Sequence, residues 1–429
     1  MSRASLQDVR SFLEAKGRAL AERARRLIRL TPQSVGLRRA DIPYAPSPAH
    51  FNAANARLQQ IERAIEARLH HLQRSVGGTT ANHLQAIALV EREVDRARRA
   101  FGLFFEVFSQ RGSAFAPALA AHDVIAVDCY AAIKHNHPAF FSGPLLKPLT
   151  YMEHGYSPAT MRRGVSLARL MGEKNPFPII RIPWDRDNPW QSVFLHEVAH
   201  NLQADLGIWQ ENKDAVGRRL VRDAADPMLV SIFSRWHKEI FADLAAILLG
   251  GTAAAWGMME FLTHPAPKVM SYRPGGAHPT AYLRVFILAE MLSRLGFHQD
   301  ARNMRRIWRK LYDPQAGHRM PRLLLGSSQR AIPSVVDEIA FQPRRGLAQN
   351  ALADLIRFTA DDERAIRQGA ASLARGRPPT ELPPRFLVSA SRHALNAGAP
   401  LPAMSRQVIR SLNDRYRRAT GHIHFELAA

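Results

Sequence analysis

The chain has 429 residues, 46% of them hydrophobic, enough to bury one large core with helical additions or two to three domains. Its single cysteine, Cys129, excludes an intramolecular disulfide and a cysteine-rich zinc site, so any metal must be held by His, Asp or Glu; the composition fits a reducing, cytoplasmic setting. The formal charge of +22 rests on 51 arginines against 8 lysines, dispersed along the chain as a GC-rich coding sequence would write them, with contact to a polyanion or nucleic acid as the second reading.

Arg3, Asp8, Arg10, Glu14, Lys16 and Arg18 interrupt the N-terminus, so no signal-peptide core is expected. Residues 5–30 carry an amphipathic, arginine-rich helical pattern. Pro32, Pro43, Pro46 and Pro48 then mark a linker, and residues 1–50 read as an N-terminal arm. Next, Leu58, Ile61, Ile65, Leu69, Leu72 and Val76 recur at three- and four-residue steps. After "GGTT" the rhythm resumes with Leu84, Ile87, Val90, Val94, Ala97 and Phe101. This predicts a helical hairpin over 51–110 with a coiled-coil-like seam, serving as a packing device on the body of the protein.

Residues 111–332 change texture to short apolar runs, prolines and aromatics, and hold all the candidate chemistry. Residues 333–429 return to helical periodicity, giving an α+β, predominantly helical chain. Ile179 to Ile182, bracketed by Pro178 and Pro183, reads as a short strand at a sheet edge. The run "HEVAH" follows at His196 to His200. Histidines at i and i+4 share one helix face and can reach one tetrahedral metal, with Glu197 between them placed to act on water. Asn188 with Pro189 as a start and Gly207 as a stop predict a helix over about 189–206.

Two ligands do not complete a catalytic site. Downstream, Asp226 and Pro227 open a second helix and Gly250 with Gly251 close it, predicting 227–249. On it Glu239 and Asp243 lie one turn apart. Asp243 falls in the apolar stretch "IFADLAAILL", where an unpaired carboxylate is costly and a hydrogen bond to the outer nitrogen of a ligand histidine would satisfy it. Asp205, Glu211 and Asp214 remain rival third ligands. The longest uncharged apolar run, 244–259, is shorter than the roughly 20 residues that span a bilayer and contains Gly250 and Gly251, so no transmembrane segment is expected.

Through "HEVAH" and "EIFAD" the chain resembles the gluzincin metallopeptidases, the thermolysin-like division of the zincins. The resemblance covers residues 196–243, with a longer spacing between the motifs than in thermolysin and a basic helical insert near 213–223. It implies a zincin-like core over 111–332 and one Zn2+ held by His196, His200 and Glu239. It further implies Glu197 as general base, Asp243 behind a ligand histidine, and a peptide or protein substrate. The zincin class with a third histidine ten residues after the first does not fit, since Leu206 and Gln203 occupy its positions. Zincins commonly bind an extended substrate along a sheet edge, the role expected of Ile179 to Ile182. "GAHPTAYLR" is faintly similar to the "HP" followed by Arg of CAAX-prenyl-protease-like gluzincins, which implies His278, Tyr282 or Arg284 as an oxyanion-stabilising group. The alternatives are a nucleic-acid-associated protease or regulator, as in Spartan-type crosslink proteases, and a binding protein with a structural zinc.

Overall fold

The computed structural model describes residues 3–74, 78–141, 145–167, 170–313 and 320–422. Three helices open the chain: α1 (Arg3–Arg25), α2 (Pro48–Arg74) and α3 (Thr80–Ser109). α2 and α3 form the expected hairpin, with Leu58, Ile61, Ile65, Leu72, Ile87, Val90, Val94 and Ala97 buried along its seam. Leu84, in the first turn of α3, is 53% exposed, and Val76 lies outside the described residues. α1 is not a free arm. It buries Leu13, Leu20, Ala21 and Ala24 against the hairpin. Gly17 permits this approach, because a Cβ there would come within 3.0 Å of the Leu69 and Leu72 side chains. The proline-rich linker is tied down as well: the Asn55 side chain accepts from Leu30 N at 2.7 Å and donates to Leu30 O at 2.9 Å.

α4 (Ala116–Asn136) leads into a small sheet of β1 (Leu149–Met152), β2 (Ala159–Met161) and, after the short hairpin of β3 (Ser166–Leu167) and β4 (Glu173–Lys174), β5 (Ile179–Ile182). The strand order is β1-β5-β2, with β5 parallel to β1 and antiparallel to β2. Ile179–Ile182 is therefore the central strand and not an edge. Pro178 and Pro183 lie just outside the strand, so neither removes a donor from either ladder. The edge nearer the helix that carries His196 and His200 is β2. Arg111, fully buried, joins bundle, helix and sheet by pairing with Asp123 at 2.9 Å and donating to Thr150 O at 2.7 Å. The core of the three-helix unit continues onto the sheet through Leu149, Tyr151, Phe177 and Ile179.

Beyond the sheet the chain is helical: α5 (Val193–Asp205), α6 (Trp209–Arg222), α7 (Pro227–Leu262), α8 (Ala266–Val269), α9 (Ala281–Arg294) and α10 (His298–Leu311). α11 (Arg322–Ala340), α12 (Leu352–Leu355), α13 (Ala360–Ala374), α14 (Pro384–Asn396) and α15 (Leu401–His422) complete it. α5 starts four residues later than the caps suggested. The Asn188 side chain bonds Ser405 on α15 and Asp187 instead of capping, and Ser192 precedes the first turn. Asp226 does cap α7, accepting from Met228 N at 2.8 Å.

The glycine pair was expected to end α7, yet the element resumes after one residue in the left-handed half of backbone space, Gly251 (φ 65°, ψ −150°). The broken helix is re-capped from a distance, because Glu363 of α13 accepts from Thr252 N at 3.2 Å and Thr252 Oγ1 at 2.7 Å. This is the anionic partner that a helix N-terminus favours. α4 and α7 are long and apolar enough to cross a membrane by length and composition, although 67% and 89% of their most apolar windows are buried inside the protein.

Candidate metal centre

α5 is buried on all sides from Val193 to Gln203, packed between α4, β2 and α7. An i, i+4 pair in such a helix projects to one side, and here that side meets α7. His196 Nε2 and His200 Nε2 stand 3.1 Å apart. From α7, Glu239 brings Oε2 to 3.4 Å from His196 Nε2 and Oε1 to 3.3 Å from His200 Nε2. Donors at ordinary zinc distances occupy tetrahedral vertices about 3.3 Å apart, so the three separations fit one small cation. Among the described residues these three form the only such cluster of His, Cys, Asp and Glu. Two imidazoles and a carboxylate, with no thiol, are a donor set suited to zinc and open to a further ligand.

The rivals are occupied elsewhere. Asp205 accepts from Tyr130 Oη at 2.7 Å and from Arg163 at 2.9 Å. Glu211 accepts from the backbone of Arg345 and Gly346, and Asp214 from Gln210.

Behind the triangle Asp243 is fully enclosed. Its Oδ1 lies 2.9 Å from His196 Nδ1, and Arg284 donates to it through Nε at 2.5 Å and Nη2 at 2.7 Å. Arg284 Nη2 also sits 3.2 Å from His196 Nδ1. Since that nitrogen gives its proton to Asp243, the second contact is not a hydrogen bond but two N–H donors held by one carboxylate. Burial opposes ionisation of Asp243, but Arg284 and the His196 hydrogen bond hold its carboxyl below the usual range. Burial and Arg284 likewise press His196 down, and its bonds to Asp243 and Glu239 outweigh them, raising it to about 9. Burial lowers His200 to about 4. Glu239 is kept far below the ordinary carboxylate range by both imidazoles, in spite of its burial.

Glu197 points to a different task. It is buried beside the triangle with no ion-pair or side-chain hydrogen-bond partner among the described residues, and burial raises it to about 7. His278, in the loop before α9, is 71% exposed and places Nε2 3.5 Å from Glu239 Oε2. Two other expected oxyanion groups do not line the opening. Tyr282 is buried edge-on against Phe286, and Arg284 is committed to Asp243. The free edge β2 is pinned over α5 by a Thr160 Oγ1 to Asn201 Oδ1 bond of 3.0 Å, next to His200. Neither Thr160 nor Asn201 carried a sequence signal, because strand pairing and helix crossing had first to bring them together.

Comparison of the chain with family models, with curated proteins and with solved structures finds no match.

Proposed function

We propose that the protein is a zinc-dependent metallopeptidase with a zincin-like core, in which His196, His200 and Glu239 hold the metal. The observation that carries this reading is the buried, unpartnered Glu197 carboxylate beside a three-donor triangle of zinc dimensions. When bound, zinc supplies Lewis-acid activation of water and of an amide carbonyl.

The protein's own groups do the rest. Glu197, poised near neutrality by burial, takes a proton from the attacking water and returns it to the leaving amine. Asp243 fixes the ring plane and tautomer of His196, and Arg284 keeps Asp243 anionic in an apolar interior. His278, at the solvent side of Glu239, is positioned to donate to the developing oxyanion. The edge of β2 that pairs with no other strand among the described residues offers an extended peptide a backbone partner beside α5. A Glu197→Gln protein keeps its zinc and loses at least about a hundredfold in peptide turnover, the scale of general-base catalysis. Cleavage by that variant at the wild-type rate overturns the proposal.

A further inference from the structure

On the flank of the triangle lies an open cleft of about 780 Å³, lined among others by Trp209, Lys213, His237 and Lys238. It neighbours the site along the chain, since its lining residues Lys238 and Ala277 immediately precede Glu239 and His278. Lys238 Nζ stands 3.8 Å from the centre of the Trp209 ring, and the Arg162 guanidinium stands 4.9 Å from the same ring. Arg162 directly follows β2, the free edge beside the site.

Two cations thus converge on one indole with Lys213 in the wall of the same cleft, and none of the three has an ion-pair partner among the described residues. The acids of α6 beside Trp209 and Lys213 are turned away: Glu211 caps the turn at Arg345 and Gly346, and Asp214 accepts from Gln210. Elsewhere on the same helix the basic residue Arg219 is neutralised by Asp223 and Asp337. Gathering like charges costs free energy that an anion would recover. Although burial works against its own charge, Arg162 lies close enough to the triangle to feel the charges of Glu239 and Glu197. Lys213 and Lys238, which line the cleft, have no carboxylate in an ion pair with them among the described residues.

We infer that this cleft is a subsite for a substrate carboxylate, so that the enzyme selects peptides with an acidic group beside the bond it cuts. The inference rests on the peptidase reading for its substrate class. A peptide supplies that carboxylate from an Asp or Glu side chain or from its own C-terminus. Trp209 stacks the cationic side chains into place, which lowers the ordering cost of gripping the anion.

The test uses three octapeptides of one sequence: capped at both ends with two glutamates, capped with two glutamines, and the glutamine peptide with a free C-terminal carboxylate. Binding is measured by calorimetry to the zinc-loaded full chain carrying Glu197→Gln, and cleavage by the wild-type chain. One of the two carboxylate peptides should bind about tenfold tighter than the capped glutamine peptide, and which one does identifies the source of the anion. That preference should shrink to about threefold with Lys213→Gln, an exposed residue of α6 whose replacement leaves the core untouched, and vanish with Arg162→Gln and Lys238→Gln added. Equal binding of all three peptides, or a preference unchanged in the triple variant, overturns the inference. Absence of cleavage with the binding preference intact counts against the peptidase reading alone.

Discussion

Asp243 Oδ1 lies 2.9 Å from His196 Nδ1 while both Asp243 oxygens accept from Arg284, so one enclosed carboxylate orients a candidate ligand and neutralises a buried guanidinium at once. Asp243→Asn keeps the shape and removes the charge. Zinc affinity, measured by competition with a chelator, should fall about 10- to 100-fold, the usual cost of losing such a partner. Thermal stability should fall too, by about 3 kcal/mol, because Arg284 is left without an anion. A variant with unchanged zinc affinity would remove Asp243 from the centre.

Acid should destabilise the fold through two histidines outside the site. Burial lowers His50 to about 4, with its ring between Ser47 Oγ and Lys147 O, and burial also lowers His122, packed edge-on to Phe194. Each stays neutral when folded and takes up a proton on unfolding. The stability tied to His50 is therefore whole above about pH 6.5 and is lost as pH falls from there towards 4, by about 3 kcal/mol across the window. Denaturation midpoints measured at pH 7 and pH 4.5 should converge in His50→Gln relative to wild type. An unaltered pH slope in that variant would contradict the assignment.

The break in α7 makes a third expectation. A Cβ on Gly251 would fall 2.2 Å from Phe358 Cζ and 2.7 Å from Glu363 Oε2, in a backbone conformation that side chains disfavour. Gly251→Ala should cost about 3 kcal/mol or more, read as a lowered melting temperature. Gly207→Ala, with a similar φ but open space around it, should cost only about 1 kcal/mol.

The residues of the centre were legible before any fold was known, because each pair lies within one helix: His196 with His200, and Glu239 with Asp243. What escaped were relationships between distant segments. Asn188 had the makings of a cap, but Ser405, more than two hundred residues away, takes its side chain. Ile179–Ile182 read as an edge because its flanking prolines suit one, whereas pairing on both sides depends on β1 and β2, neither of which announces itself in the sequence. Arg284 stands out in the sequence only through the faint "HP"-then-Arg similarity, which implies an oxyanion role. Its bond to Asp243 is a contact that only the crossing of α9 over α7 creates. The N-terminal helix looked like an arm since its few apolar residues, Leu13 and Leu20 among them, find their partners only once the hairpin exists.

The central claim is that His196, His200 and Glu239 together hold one zinc. Metal content of the purified, dialysed protein, measured by mass spectrometry, tests it most directly. Wild type and Glu197→Gln should each retain one zinc per chain, and Glu239→Ala and His200→Ala should lose it. One tightly held zinc remaining in Glu239→Ala would contradict the account.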